Sequence, residues 1–322
     1  MNRRALLAAL PAATLLPVAA GAQGTWPDAP IRAIVPFAPG SATDTVARVV
    51  ADAMRPALGQ PVVVENRAGA NGLIGAEAVA RATPDGNTVL IGTNSTNAAA
   101  NALFRRVPFD MENGFIPVST IATVPLLVAV KADSPYRTLA DLITAARARP
   151  EGITFASASS SQRVATESLA AMAGIKMLHV PYRSSPLAVQ DVLSGRVDLF
   201  IADQAVILPQ AQAGALRILG VTGARRSAAV PDIPTVREAG NLPDYEVIAW
   251  FALFVPANTP ADRVARLNAA VNAALGTPEV RTRLGTFGMD IRGSTPAEAV
   301  AFVRAETVKW TNAIRQAGIE PE

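Results

Sequence analysis

Cysteine is absent from this 322-residue chain, and histidine occurs once, at His179. The first absence excludes disulfides, so an exported fold must rely on packing, and it excludes a lipid anchor attached through cysteine. Together the two absences leave no way to assemble the usual zinc ligand sets. No G-x-S-x-G hydrolase elbow occurs, and no G-x-x-x-x-G-K-[ST] phosphate loop. An excess of charge is also missing. The chain carries 29 Lys+Arg against 26 Asp+Glu. Two of the basic residues, Arg3 and Arg4, precede the cleavage point expected after Ala22, so the exported chain lies within one charge of neutrality. Without basic runs it offers nucleic acid no electrostatic footprint.

What is present starts with a leader. Arg3 and Arg4 precede the almost wholly apolar Ala5 to Leu16, and Ala20-Gly-Ala22 fits the small-residue cleavage pattern. Residues 1–22 therefore read as a secretory signal peptide cleaved after Ala22, which places the chain in the periplasm. Pro11, Pro17 and the shortness of the apolar run argue against a membrane anchor. No later run is long and apolar enough to span a bilayer.

Beyond the leader, apolar strands alternate with amphipathic helices, the pattern of a parallel α/β sheet. Strands are expected at 61–65, 88–92, 126–130, 153–156, 177–180, 197–202, 216–222 and 247–255. Helices are expected at 42–57, 72–82, 138–148, 162–173, 186–194, 234–239, 260–275 and 296–317. Thr138-x-x-Asp141, Thr235-x-x-Glu238, Thr259-Pro-x-Asp262 and Thr295-Pro-x-Glu298 each combine a cap with an acid in the first turn. The length allows two domains. No linker separates them, so the chain should cross between them on paired strands near 126–130 and 247–255.

The segment Ile31 to Asp44 reads as a strand, a tight turn and a helix start, with Ser41-x-x-Asp44 as a capping box. Such a turn is either an anion site at a helix N-terminus or an ordinary βα connection. Similar polar turns, Thr93–Asn97, Ser157–Gln162 and Tyr182–Ser185, follow other strands. At the carboxyl ends of strands their Ser, Thr and Asn groups suit a small ligand. His179 lies in an apolar strand context and reads as structural. Gly69-Ala-Asn-Gly72-Leu-Ile-Gly75 approaches a dinucleotide fingerprint but has the wrong first spacing. Asp44, Asp198 and Asp203 are the acids available for a carboxylate pair; Asp44 is accounted for by capping, while Asp203 is placed to face a cleft.

Several blocks then carry a resemblance. Ile34-Val-Pro-Phe-x-Pro-Gly-x-x-x-Asp44, Gly59-Gln-Pro-Val-Val-Val-Glu-Asn-Arg67-x-Gly-Ala-x-Gly72, Pro84-Asp-Gly86, His179-Val-Pro-Tyr182, Gly195-x-Val-Asp198, Pro231-Asp-x-Pro-Thr235-x-x-Glu-Ala-Gly240 and Ala249-Trp-Phe251 resemble the Bug-type extracytoplasmic solute receptors of tripartite tricarboxylate transporters. The resemblance runs from Trp26 to about Gly318. It implies an α/β fold of the type II periplasmic binding-protein class, two lobes joined by crossing strands around a ligand cleft. The lobes would be 23–125 with 248–322, and 126–247. It implies a non-enzymatic monomer without metal or cofactor, which binds a small organic anion such as a carboxylate. Its partners would be the transporter's membrane components.

By position, the ligand loop of the first lobe would be Phe37, Ala38, Pro39, Gly40, Ser41, Ala42, Thr43 and Asp44, with Thr93, Asn94 and Ser95 beside it. Ser157, Ser159, Ser160, Ser161, Gln162, Arg163, Tyr182 and Asp203 would come from the second lobe, and Trp250 and Phe251 from the return segment. Two departures stand out. Ser41 replaces a second glycine, and the second-lobe loop is shorter, with Arg163 where the family pattern has histidine. Arg163 could meet a ligand carboxylate or pair on the surface with Glu167. Two other functions fit the same features: an exported enzyme acting on a small carboxylic acid, or a ligand-sensing co-receptor for a membrane kinase.

Overall fold

A computed structural model describes residues 26–322. The expected leader, 1–22, and its cleavage point lie outside the described residues.

The first unit is β1 (Ile31–Val35), α1 (Ala42–Leu58) and β2 (Val62–Asn66). Ser41 caps α1, and Gly59 ends it in the left-handed region at φ 74°, where glycine carries no steric penalty. Val46, Val49, Val50, Met54 and Leu58 are buried, the apolar face that their spacing predicts. There follow α2 (Leu73–Ala80), β3 (Thr88–Thr93) and two short helices, α3 (Asn94–Asn97) and α4 (Ala100–Leu103). β2 and β3 flank β1 in parallel.

The next strand, β4 (Phe115–Lys131), is much longer than the expected 126–130. Pro117 and Pro125 hide its first part, since proline cannot donate to a ladder and reads as a strand breaker. Here the register shifts between Pro117 and Ser119, and Pro125 is the last β4 residue paired with the return strand β9 (Ile248–Pro256).

The remaining elements are α5 (Leu139–Ala148), β5 (Thr154–Ser157), α6 (Ser160–Ala173), β6 (Leu178–Pro181), α7 (Ser185–Leu193), β7 (Leu199–Asp203), α8 (Gln204–Gln212), β8 (Leu216–Val221) and α9 (Val236–Gly240). After β9 come α10 (Ala261–Gly276), α11 (Pro278–Gly285), β10 (Asp290–Ile291) and α12 (Pro296–Gln316). Thr138, Thr235 and Thr295 form reciprocal capping boxes with Asp141, Glu238 and Glu298. Thr259 does not cap. Its hydroxyl donates to the Pro256 carbonyl instead, and α10 starts at Ala261. The sequence reading missed α8, whose Ala205-Val-Ile-Leu-Pro209 continues an apolar strand without visible helical period.

The strands form an α/β fold in which β4 belongs to two sheet regions. Up to Pro125 it pairs antiparallel with β9, which continues to β3 and the parallel set β3-β1-β2. From Leu126 it pairs antiparallel with β7 and β8, and β7 continues to parallel β5 and β6. The handover is tied by Thr222, which is fully buried. Its Oγ1 accepts from the Leu126 N–H at 2.7 Å and donates to the Val247 carbonyl at 2.6 Å. Both segments expected to cross therefore meet at one hydroxyl. Phe155, Phe200, Phe254, Trp250 and Tyr245 fill the cores. No helix among the described residues is long and apolar enough to cross a membrane.

Candidate functional site

Every polar turn expected near a cleft follows a strand and precedes a helix, and the fold brings all four into one region. The loop after β1 is fixed from within. Ser41 Oγ accepts from the Asp44 N–H at 3.2 Å. The Asp44 carboxylate accepts in turn from the Gly40 N–H at 3.1 Å, the Asn66 amide at 2.9 Å and the Arg48 guanidinium. Burial alone would raise the Asp44 pKa, but these donors together outweigh it and hold the pKa below the ordinary value. Asp44 is thus an ionised post that holds the loop in shape, and Asn66 is its second support.

A small cavity of about 20 Å³ lies where the turns converge. Phe37, Ser41, Ala42 and Thr43 line it from the first loop, and Thr93, Asn94 and Ser95 from the α3 turn. Ser159, Ser161, Gln162, Asp203 and Phe251 face them. Ser185, the last residue of the expected turn 182–185, and Ala249, the first of the block Ala249-Trp-Phe251, also line the cavity, although neither stood in the expected ligand set. The volume is that of about one water. Any larger ligand needs the two sides to part.

Thr93 and Thr96 form a capping box that orients α3. Asn94 Nδ2 and Ser95 Oγ, both buried, have no hydrogen-bond partner among the described residues. Leaving such groups unpaired costs roughly 1–3 kcal/mol each, so they are poised for an external acceptor. Across the cavity, Gln162 accepts from the Ala158 N–H at 2.7 Å and donates to Ser185 Oγ at 3.0 Å, clasping the α6 loop to α7. Ser159 and Ser161 hydroxyls lie 3.0 Å apart. Burial raises the Asp203 pKa to about 6, opposed by its own backbone N–H and the Gln162 amide.

A second, larger cavity of about 690 Å³ adjoins the first, with Phe37 in the wall of both. It receives Ala38, Ser157, Ser160, Arg163 and Tyr182 from the expected set, and also His179, Arg183 and Glu322. Ser160 Oγ and Arg163 Nε are buried without partners among the described residues. Arg163 pairs with Glu322 at 2.9 Å and not with Glu167, whose pKa is raised by burial with only partial relief from the Arg163 charge. Tyr182 turns its hydroxyl to Asp191 at 2.8 Å. Its pKa is pushed up to about 12 by burial and by that carboxylate.

Four expected residues line neither cavity. Pro39 and Gly40 sit on the rim, where a side chain at Gly40 would meet Pro186 of α7 at 3.6 Å. Asp44 acts behind the loop. The Trp250 indole turns into the core against Phe302, with ring centroids 5.5 Å apart, because alternation along β9 gives the cavity Ala249 and Phe251 instead.

His179 is a strand residue, stacked on Phe155 at 5.0 Å. Its Nε2 lies 2.7 Å from Ser157 Oγ. Burial, then the Arg163 charge, lowers its pKa. A serine beside an imidazole has the outline of a nucleophile and base, but no described side chain orients the other ring nitrogen, as the third member of such a triad does. No cluster of three or more His, Asp or Glu suited to a metal occurs among the described residues.

Comparison with known proteins adds a family. A family model described as "Tripartite tricarboxylate transporter family receptor" matches residues 46–319. A curated relative from a Pseudomonas species, described as a UPF0065 protein in the tcbD-tcbE intergenic region, is 41% identical over 90% of this chain and 86% of its own. Protein BugT of Bordetella pertussis is 34% identical over 91% of each chain. Among solved structures, the R. palustris protein Rpa4515 with adipate superposes with TM-score 0.89 at 35% identity, covering 92% of this chain and 100% of that one. MatC from Rhodopseudomonas palustris with bound malate gives 0.85 at 33%, covering 90% and 100%. The periplasmic binding protein BugD gives 0.87 at 30%, covering 92% and 100%.

Proposed function

Because the chain belongs to the tripartite tricarboxylate transporter receptor family, we propose that it captures a small organic carboxylate between two closing lobes and delivers it to the membrane components of such a transporter. The observation that carries this reading is the pair of buried, partnerless donors at the small cavity, Asn94 Nδ2 and Ser95 Oγ. They face hydroxyls from the α6 loop, and a carboxylate accepts from all of these groups at once. The relatives solved with adipate and malate support the ligand class.

The lobes in this reading are 23–125 with 248–322, and 126–247, hinged where β4 changes partners beside Thr222. The ligand set is the one expected from the sequence apart from Pro39 and Gly40 on the rim, Asp44, which holds the loop from behind, and the Trp250 indole, a support behind Phe251. The protein works as a receptor in the periplasm after cleavage following Ala22. A cavity of about 20 Å³ admits no carboxylate, so capture requires opening and reclosure, the motion of hinged binding proteins.

A ligand that binds the folded protein should raise its stability by RT ln(1 + [L]/Kd), about 2.7 kcal/mol at 100 times Kd. A melting screen over mono- and dicarboxylates tests this. Turnover of a carboxylate without any melting shift would refute the receptor reading. Intact-mass analysis of periplasmic protein tests the cleavage point, and retention of Arg3 and Arg4 would refute it.

A further inference from the structure

A third cavity, of about 510 Å³, lies outside the cleft and shares no lining residue with the two described above. Its size suits a small molecule. One wall is the stripe of α12 that carries Val300, Val303, Arg304, Thr307 and Val308, positions that recur on one helical face. Four of these five are β-branched, a type that lowers helix propensity unless its packing compensates. None of the five is buried, and Val308 is 63% exposed. The stripe is therefore apolar without serving the core.

The facing wall comes from Met111 and from Phe115 and Ile116 at the start of β4. Met111 and Phe115 are buried. Phe109 and Phe254 hold the Phe115 ring edge-on, at 5.5 and 6.2 Å, so this wall is preformed. Among the described residues that line the cavity, the one buried polar side chain is Asn97, 2% exposed. Its Oδ1 accepts from Thr96 Oγ1 at 2.6 Å, and its Nδ2 has no partner among the described residues. A buried donor left unpaired is costly, and a ligand acceptor would relieve that cost. Asn97 closes α3, the turn whose Asn94 and Ser95 line the small cavity of the cleft instead. Glu112 and Arg304, one charge of each sign, are exposed at the edge, so the walls carry no net charge.

We propose that this cavity is a second small-molecule site, separate from the cleft, for a neutral and largely apolar molecule with one hydrogen-bond acceptor such as a carbonyl. The acceptor takes the Asn97 Nδ2–H at the buried end. The apolar body lies between Phe115 and the valines of α12 and covers them from water. An anion gains nothing here, because the Glu112 charge opposes whatever Arg304 offers.

Ligand-observed NMR titration would compare acetophenone with ethylbenzene, which has nearly the same shape and no acceptor, and with benzoate, which carries a charge. Acetophenone should bind the full chain at least about tenfold more tightly than ethylbenzene, as expected for one hydrogen bond to an otherwise unpaired buried donor. Benzoate should not displace it. Asn97→Leu should bring the ketone down to the affinity of the hydrocarbon. Val303→Trp, which fills the cavity, should abolish binding of both. Thr307→Trp serves the same purpose from a half-buried position if Val303→Trp does not fold, which its melting curve reads. Equal affinity for ketone and hydrocarbon, no binding of acetophenone up to its solubility limit, or binding that survives the filled cavity would overturn the proposal. Displacement by benzoate would overturn the neutral class. A dimer in sedimentation that Val308→Glu dissociates would assign this face to a second copy of the chain and overturn it as well.

Discussion

The side-chain amide of Asn66 donates both to Asp44, at 2.9 Å, and to the carbonyl of Phe37, at 3.0 Å. One residue at the end of β2 thereby fixes both ends of the loop that lines the small cavity. A buried acid held by three donors is an anchor whose loss leaves those donors unpaired.

Asp44→Asn should therefore destabilise the protein by about 1–3 kcal/mol at neutral pH. The folded pKa of Asp44 lies below the reference value of 3.8, so the unfolded state binds more protons in acid. Its stabilisation is present above that reference value and is lost as pH falls through the folded pKa. Urea unfolding at pH 7 and at pH 3 should show the gap between wild type and mutant narrowing in acid. A constant gap would deny the ionised anchor.

Asp203 has the opposite sign. Its pKa rises from 3.8 to about 6 on folding, so the folded state binds more protons between those values. Stability attributable to Asp203 falls as pH rises through this window and stays reduced at neutrality. Asp203→Asn should be the more stable protein above pH 6, by up to about 3 kcal/mol. If a carboxylate binds beside Asp203, wild-type affinity should strengthen from pH 7 to pH 5, and the mutant should lose most of that dependence. Calorimetry at the two pH values reads both.

Gly72 has φ 92°, and a methyl group there would lie 2.8 Å from Thr96 and 3.2 Å from the Phe37 ring. Gly72→Ala should cost about 1–3 kcal/mol from backbone strain. It should also weaken ligand binding, because Phe37 walls both cavities. Unfolding and binding measured on the same variant separate the two effects, and a loss of stability alone would show that the ring does not shift.

Thr222→Val removes the hydroxyl that joins Leu126 to Val247 and leaves a buried N–H and carbonyl unpaired. We expect a loss of about 1–3 kcal/mol for each group left unpaired, read by urea unfolding. If the chain turns at this point, small-angle scattering should show a changed response to ligand as well.

The repeated strand-helix units were legible because each carries its own markers. Ser41 with Asp44, Thr138 with Asp141 and Thr235 with Glu238 set helix starts to within about two residues. The first part of β4 was not legible, since Pro117 and Pro125 are tolerated only through the register shift and the change of partner that surround them. At the site, the local motifs located the four turns but not which side chains face inward. Trp250 and Ala249 differ only by strand alternation, and Ser185 enters through a clasp with Gln162, 23 residues away. Arg163 drew notice as an unusual residue at a helix start, yet its partner Glu322 lies 159 positions away. No local pattern connects those two.

The approach of Gly40 to Pro186, where an added side chain would come within 3.6 Å, has a practical use. Leu187, beside Pro186 on α7, is 48% exposed, and the chain has no cysteine to compete for a thiol reagent. A fluorophore attached at Leu187→Cys would sit where the two rims approach. Its emission should change as the cleft opens and shuts, which makes this chain a ready scaffold for a reagentless optical sensor of whichever solute it carries.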